Sequence, residues 1–133
     1  MNLTTRSEYA LLALVFLGHH WGQGFITVET IARAEDIPTT YLEQILLALK
    51  RAHYVRSVKG QGGGYELAKP PGQITLAEVV RLLDGPIAPT VSASRYFYEP
   101  TPIERERKLL QVFKQIRKVV ADKLEHTTIA DML

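Results

Sequence analysis

Thr40-Tyr41-Leu42-Glu43-Gln44-Ile45-Leu46-Leu47-Ala48-Leu49-Lys50-Arg51 leads through Ala52-His53 into Tyr54-Val55-Arg56-Ser57-Val58, and then through Lys59-Gly60-Gln61-Gly62-Gly63-Gly64 into Tyr65-Glu66-Leu67-Ala68. In the first segment Leu42, Ile45, Leu46 and Leu49 recur at three- and four-residue steps, the buried stripe of an amphipathic helix. Tyr41, Glu43, Gln44, Lys50 and Arg51 point away from that stripe, and Thr40 with Glu43 fits a capping box at the helix start. Tyr54 to Val58 alternates with period two. The six-residue connection is glycine-rich enough to form a hairpin tip, so Tyr65 to Ala68 pairs back across it. A helix followed at once by a small hairpin is the decisive pattern.

Upstream, Thr27 can cap a short helix that buries Val28, Ile31 and Ala32, and Ile37-Pro38 must end it because proline disfavours a helical residue before it. Two helices across so tight a turn have helix-turn-helix spacing, and the hairpin adds a wing. Thr5-Arg6-Ser7-Glu8 fits a capping box for a first helix of about three turns, with Gly18 as a left-handed C-cap and His19 to Gly24 as a loop. Downstream, Thr75-Leu76-Ala77-Glu78 caps a fourth helix with Leu76, Val79, Val80 and Leu83 inward, ended by Asp84-Gly85-Pro86. The fold is expected to be mainly α with a small β-hairpin. Residues 1–85 form a winged helix-turn-helix domain, 86–102 a linker or effector loop, and 103–133 a long helix with a short C-terminal one.

From Ile103 the chain reads as one helix of about twenty-three residues, some 35 Å long. Leu109, Val112, Phe113, Ile116, Val119, Val120 and Leu124 line one side of it. A stripe that long outruns what a domain of this size can cover, so a second copy is its natural partner and a homodimer is expected.

Composition narrows the function. The 133 residues are 46% hydrophobic and 23% charged, ordinary for a packed globular domain. Tyr9 to Leu17, the longest apolar run, is about half of what a bilayer-spanning helix needs, so a cytoplasmic protein is expected. The absence of cysteine removes disulfides, thiolate zinc sites, cysteine nucleophiles and ordinary iron–sulphur ligation together. The net charge of +2 is too mild to announce nucleic acid, but Lys50, Arg51, Arg56, Lys59 and Lys69 face one acid, Glu66, between residues 50 and 69.

A basic, glycine-tipped wing beside a helix-turn-helix supplies donors to the same groove of double-stranded DNA. Thr39, Thr40, Tyr41 and Gln44 gather at the start of the third helix, where hydroxyls and amides meet phosphates or base edges. Glu43 can accept from cytosine N4 or cap the helix. The glycines are not a phosphate cradle, because no Gly-Lys-Ser or Gly-Lys-Thr enters a helix there. The adjacent His19 and His20 do not share a helix face as a metal pair would, and neither a catalytic triad nor paired carboxylates emerge from the spacing, so no enzyme, metal or cofactor is expected. Tyr96-Phe97-Tyr98 either lines an effector pocket or plugs the seam before the long helix.

Leu3-Thr4-Thr5 with Tyr9-Ala10, Tyr41-Leu42-Glu43-Gln44, Val58 to Tyr65, Ile74-Thr75-Leu76 with Glu78-Val79, and Thr127 to Met132 together resemble the Rrf-two family of bacterial winged-helix regulators, IscR-like proteins among them. The resemblance implies a homodimer built on the long helix, with the helix from about Thr40 in the major groove and the wing tip in the adjacent minor groove. Thr39, Thr40, Tyr41, Glu43 and Gln44 would read bases, while Arg6, Arg51 and Lys59, with Gly60 and Gln61 at the tip, would hold the backbone. Lys59 stands where the family often has arginine, and Gln61 replaces a proline. Many members hold an iron–sulphur cluster on three cysteines in a region that falls here around Ser92 to Glu104. None of those cysteines is present, so the chain resembles the cluster-free branch, which answers to a partner protein or a small molecule. The expected function is transcriptional repression on a pseudo-palindromic operator, in association with the nucleoid. The rival reading is a helical protein-interaction module that uses the long helix and the Tyr96 to Tyr98 loop, with incidental DNA affinity.

Overall fold

The computed structural model describes residues 1–133 as five α-helices, one two-stranded antiparallel hairpin and four short 3-10 turns. The helices α1 (Thr5–His19), α2 (Val28–Glu35) and α3 (Thr39–Arg51) pack around Leu14, Leu17, Ile31, Leu42, Ile45, Leu46 and Leu49, all essentially without solvent contact. The hairpin strands β1 (Val55–Val58) and β2 (Gly64–Leu67) pair in the register Val55 to Leu67 and Val58 to Gly64. Val55 and Leu67 close the core beneath the wing. The mainly helical winged-helix expectation therefore holds.

Several local expectations are corrected. The N-cap of α1 is Thr4 rather than Thr5, because the Thr4 hydroxyl both accepts from Ser7 N and donates to Asp84 at the end of α4 (Leu76–Asp84). The helix then runs past Gly18 to His19, four turns instead of three. Gly18 is no cap: it is a buried interior position, and a Cβ there would come within 3.0 Å of Ile129 Cγ2 and 3.2 Å of Leu133 Cδ2. The glycine is set by close approach of the chain's far end, not by helix termination.

Thr27 caps α2 as expected, accepting from Thr30 N at 3.2 Å, and Asp36 leaves the helix in the left-handed region at φ 55°. The turn into α3 is Asp36-Ile37-Pro38, with Ile37 buried and its N–H donating to Ala32 O. Pro38 is the N-cap of α3 and no side chain caps that helix, so the capping box expected from Thr40 and Glu43 does not form. The box expected at Thr75 and Glu78 does form, with both reciprocal hydrogen bonds present.

The segment after α4 is packed rather than loose. Ile87 joins Ala77, Val80 and Ala121 in a second small core, and Ser92 and Ala93 are buried. The long helix is shorter than expected: Pro102–Arg105 forms a 3-10 turn, the Glu106 side chain accepts from Lys108 N, and α5 spans Arg107–Glu125. Nineteen residues make a rod of about 28 Å. Beyond it the chain returns to the winged domain, where Leu76 N donates to Thr127 O and Ile129 N to Ile74 O, both at 2.9 Å. Ile129 ends in the main core with no exposure.

Candidate nucleic-acid interface

The first turn of α3 begins at a proline-set corner, so its leading backbone N–H groups carry no side-chain cap. Helix ends of this kind favour phosphate oxygens through free N–H groups and the helix dipole. Thr40, Tyr41, Glu43 and Gln44 are exposed there and Thr39 is half-buried, while Leu42, Ile45 and Leu46 lock the opposite face into the core. Glu43 is therefore free to accept from a base or repel a phosphate instead of serving as a cap. Tyr41 is steadied from outside its own helix: its ring meets that of Tyr9 edge-on, centroids 5.6 Å apart at 83°. Tyr9 carries part of the family resemblance in the sequence, but its contact with Tyr41 is not legible there, because the two rings meet only through the packing of α1 on α3.

The wing is held at its base and free at its tip. Ile26 exchanges two backbone hydrogen bonds with Tyr65, at 2.8 and 2.7 Å, making a third, one-residue strand beside the hairpin. Gly64 lies at φ 148°, and a Cβ there would run into the Ile26 carbonyl and reach Thr27 N at 2.7 Å. The glycine lets the wing lie against the start of α2. Lys59, Gly60 and Gln61 are exposed at the tip.

The basic cluster divides once its partners are known. Arg56 pairs with Glu66 across the hairpin at 2.6 Å, and the Lys69 ammonium lies 4.7 Å from the centre of the Tyr54 ring. Lys50, Arg51 and Lys59 are exposed and make no ion pair, so they are the cations available to a phosphate.

Below the wing, the Tyr54 hydroxyl donates to Glu78 Oε1 at 3.3 Å. Burial works to raise the Glu78 carboxyl, but the Thr75 backbone and hydroxyl donors, the Lys69 charge and Tyr54 outweigh it and hold it below the usual glutamate range. Burial first, and then the Glu78 charge and hydrogen bond, push the Tyr54 hydroxyl up.

Arg6 is exposed on the first turn of α1, whose start is tied to α4 by Thr4 Oγ1 donating to Asp84 Oδ1 at 2.6 Å and Thr4 N to Oδ2 at 3.2 Å. Burial acts to raise the Asp84 carboxyl, yet the Thr4 donors and the nearby Arg6 charge leave it below the ordinary aspartate range.

The Tyr96-Phe97-Tyr98 loop neither plugs a seam within the chain nor lines any of the four cavities. All three rings are exposed. Arg81 and Arg95 stack on Tyr96 at 4.8 and 5.3 Å, and the Tyr98 hydroxyl donates to Glu104. On α5, Val120 and Leu124 pack against the second core and Phe113 is half-buried, whereas Leu109, Val112, Ile116 and Val119 are exposed, Val119 by 71%. The expected single stripe is thus split between an inward and an outward face.

No helix is long and apolar enough to cross a membrane. The chain matches the Rrf2 family, described as "Iron-dependent Transcriptional regulator", over residues 3–133. It belongs to that family. The HTH-type transcriptional regulator CymR of Bacillus subtilis is 31% identical over 132 residues, covering 99% of this chain and 89% of that protein. The solved structure of B. subtilis CymR, described as the global cysteine regulator, superposes with TM-score 0.79 at 30% identity, over 99% of this chain and 95% of its own. The structure of T. potens IscR gives TM-score 0.76 at 26% identity, over 99% and 85%. This Rrf2 chain is a DNA-binding transcriptional regulator and not an enzyme, which sets aside the interaction-module reading.

The family's iron finds no matching donors here. There is no cysteine, and no three His, Asp or Glu side chains converge. Between Ser92 and Glu104, the Ser92 and Thr101 hydroxyls share a hydrogen bond, the Ser94 hydroxyl accepts from Phe97 N and the Tyr98 hydroxyl donates to Glu104. These hydroxyls, with the carboxylates of Glu99 and Glu104, do not fit thiolate ligation of a cluster.

Proposed function

We propose that this Rrf2 regulator works as a homodimeric, cluster-free repressor on a pseudo-palindromic operator with half-sites about one helical turn apart. The observation that carries the reading is the uncapped, polar and exposed start of α3 beside a wing whose tip presents Lys59. In this arrangement α3 enters the major groove, with Thr40, Tyr41, Glu43 and Gln44 at base edges and Thr39 beside them. The tip at Lys59, Gly60 and Gln61 reaches the adjacent minor groove, and Arg6 and Arg51 hold phosphates.

Dimerisation rests on the outward face of α5. Leu109, Val112, Ile116 and Val119 leave an apolar row on a helix whose other side is already packed. A two-fold pairing of these rows buries them and sets two copies of α3 facing the same side of a duplex, with Phe113, Val120 and Leu124 backing the row. The donor set around Ser92 to Glu104 supports a regulator without a cluster, answering instead to a small molecule or partner protein, and acting in the cytoplasm on the nucleoid.

The test is a footprint and binding titration on DNA upstream of its own gene, beside unrelated DNA of equal length, over a salt series. A two-fold protected site bound at least about a thousandfold more tightly than the control supports the reading. Equal binding of both DNAs at every salt concentration argues against it.

A further inference from the structure

Glu66 is the only acid between residues 50 and 69, a stretch that carries Lys50, Arg51, Arg56, Lys59 and Lys69. It stands directly opposite Arg56 in the hairpin register. Because Val55 and Leu67 point into the core, the next pair along, Arg56 and Glu66, lies on the outer face of the wing. Nε and Nη2 of the guanidinium both reach one carboxylate oxygen, Glu66 Oε1, at 2.7 and 2.6 Å. The two ends of the pair are unequally exposed, the Arg56 side chain by 62% and the Glu66 side chain by 14%. The carboxylate therefore sits against the hairpin with the cation on its solvent side. From Arg56 to Lys59 at the tip is about 10 Å of strand, and duplex DNA carries one charge per about 1.7 Å of its axis. A duplex that meets the tip brings phosphates to the neighbourhood of Arg56 as well.

We infer that Glu66 sets the affinity of the wing for DNA: it holds Arg56 in a neutral pair and so keeps an exposed cation from serving as a phosphate contact. This inference rests on the proposed placement of the wing tip in the minor groove. Counterions leave DNA in proportion to the charge that a protein brings to the phosphates, and this pair brings none. Nor does Arg56 exchange one partner for the other without cost, because leaving Glu66 strands a largely shielded carboxylate beside a polyanion. The wing then grips DNA through Lys59 rather than through Lys59 and Arg56 together. Phosphate contacts carry no sequence information, so Glu66 lowers the hold on every DNA alike and leaves the base readout by α3 untouched.

The test titrates the full chain and three variants, Glu66→Gln, Arg56→Gln with Glu66→Gln, and Lys59→Ala, against DNA upstream of its own gene and unrelated DNA of equal length over a salt series. Glu66→Gln is expected to steepen the slope of log affinity against log salt by about 0.9 on both DNAs, a gain of about eightfold in affinity at 0.1 M relative to 1 M salt. The double variant should return to the slope of the unaltered chain, which also shows that glutamine leaves the wing intact. An unchanged slope in Glu66→Gln overturns the inference. A flatter slope overturns it too, because Glu66 would then be orienting Arg56 onto a phosphate that it already holds. So does a double variant as steep as Glu66→Gln, since the gain would not belong to Arg56. Lys59→Ala separates this inference from the reading beneath it: a flatter slope there with no response at Glu66 overturns the role of Glu66 alone, whereas no response at either position removes the wing from the DNA and both readings with it.

Discussion

Replacing Gly64 with alanine strikes the point where the wing is fastened to the body. The residue lies at φ 148°, and the new Cβ would collide with the Ile26 carbonyl and approach Thr27 N at 2.7 Å, all backbone atoms that cannot swing aside. Relief requires moving β2 away from Ile26, which sacrifices the hydrogen bonds of 2.8 and 2.7 Å between Ile26 and Tyr65. Two such bonds are worth about 1 kcal/mol each, and a non-glycine residue in that backbone region costs about 1–3 kcal/mol more. The expected destabilisation is about 3–5 kcal/mol, a large share of the roughly 5–15 kcal/mol that holds a domain of this kind together. Gly62→Ala is the matched control, because Gly62 lies at φ 78° with nothing within 4 Å of the added carbon. That change should cost only the backbone term, about 1–2 kcal/mol. Urea unfolding of both variants with a common slope measures the difference. If Gly64→Ala costs no more than Gly62→Ala, the contact with Ile26 does not hold the wing and the account of its base is wrong.

Three further outcomes follow from the same geometry. Ile116→Asp puts a charge into the exposed apolar row of α5 and should convert a dimer into a monomer in sedimentation equilibrium without unfolding it; a dimer that survives would place the interface elsewhere. Lys59→Ala should reduce the slope of log affinity against log salt by about 0.9 on any DNA, whereas Glu43→Ala should alter the base preference and leave that slope nearly intact. An unchanged slope would remove Lys59 from the phosphate contacts. The pH dependence has two limbs of opposite origin. Glu78 and Asp84 titrate below their ordinary ranges in the folded chain, so the stability they add is complete above about pH 4 and is lost as pH falls through their folded values. Tyr54 titrates above its ordinary range, so its contribution is present below about pH 10 and is lost as pH rises through the folded value. Glu78→Gln should therefore blunt the acid loss and Tyr54→Phe the alkaline one in urea midpoints across pH.

What the sequence made legible is local. Thr75 to Glu78 caps α4 because both partners of the box lie within one turn and nothing distant competes for them. Thr40 to Glu43 has the same spacing and fails, because Pro38 already takes the N-cap position and starts the helix two residues earlier. Gly18 was legible as a glycine that matters but not for its reason, since the atoms that crowd it belong to Ile129 and Leu133. The same holds at the interface. The exposed polar face of α3 follows from apolar periodicity, whereas the Tyr9 ring that steadies Tyr41, and the partners that withdraw Arg56 and Lys69 from the basic cluster, depend on tertiary packing. At α5, Pro102 and the Glu106 cap set a later start than hydrophobic spacing alone indicates.

Arg81 shows how the winged domain and the α5 helix are made to act as one body. Its guanidinium donates to Glu125 Oε1 at 2.6 Å, with both side chains about one-fifth exposed, and also stacks on Tyr96 at 4.8 Å. One side chain on α4 thereby grips the end of α5 and the loop between them, a loop that Arg117 ties again by donating to Ala93 O. A charge-assisted hydrogen bond of this partly shielded kind is worth about 1.5–3 kcal/mol, and the ring contact adds about 0.5–1 kcal/mol. Arg81→Ala should therefore destabilise the chain by about 2–4 kcal/mol, and Arg81→Lys should recover only part of that, because an ammonium cannot hold the carboxylate and cover the ring in one plane. A double-mutant cycle with Glu125→Ala isolates the ion pair from the stacking. A coupling below about 0.5 kcal/mol would mean that the apolar contacts of Ala121, Val120 and Leu124, with the return of Ile129 to the main core, join the two parts without the ion pair, leaving Arg81 to order the loop.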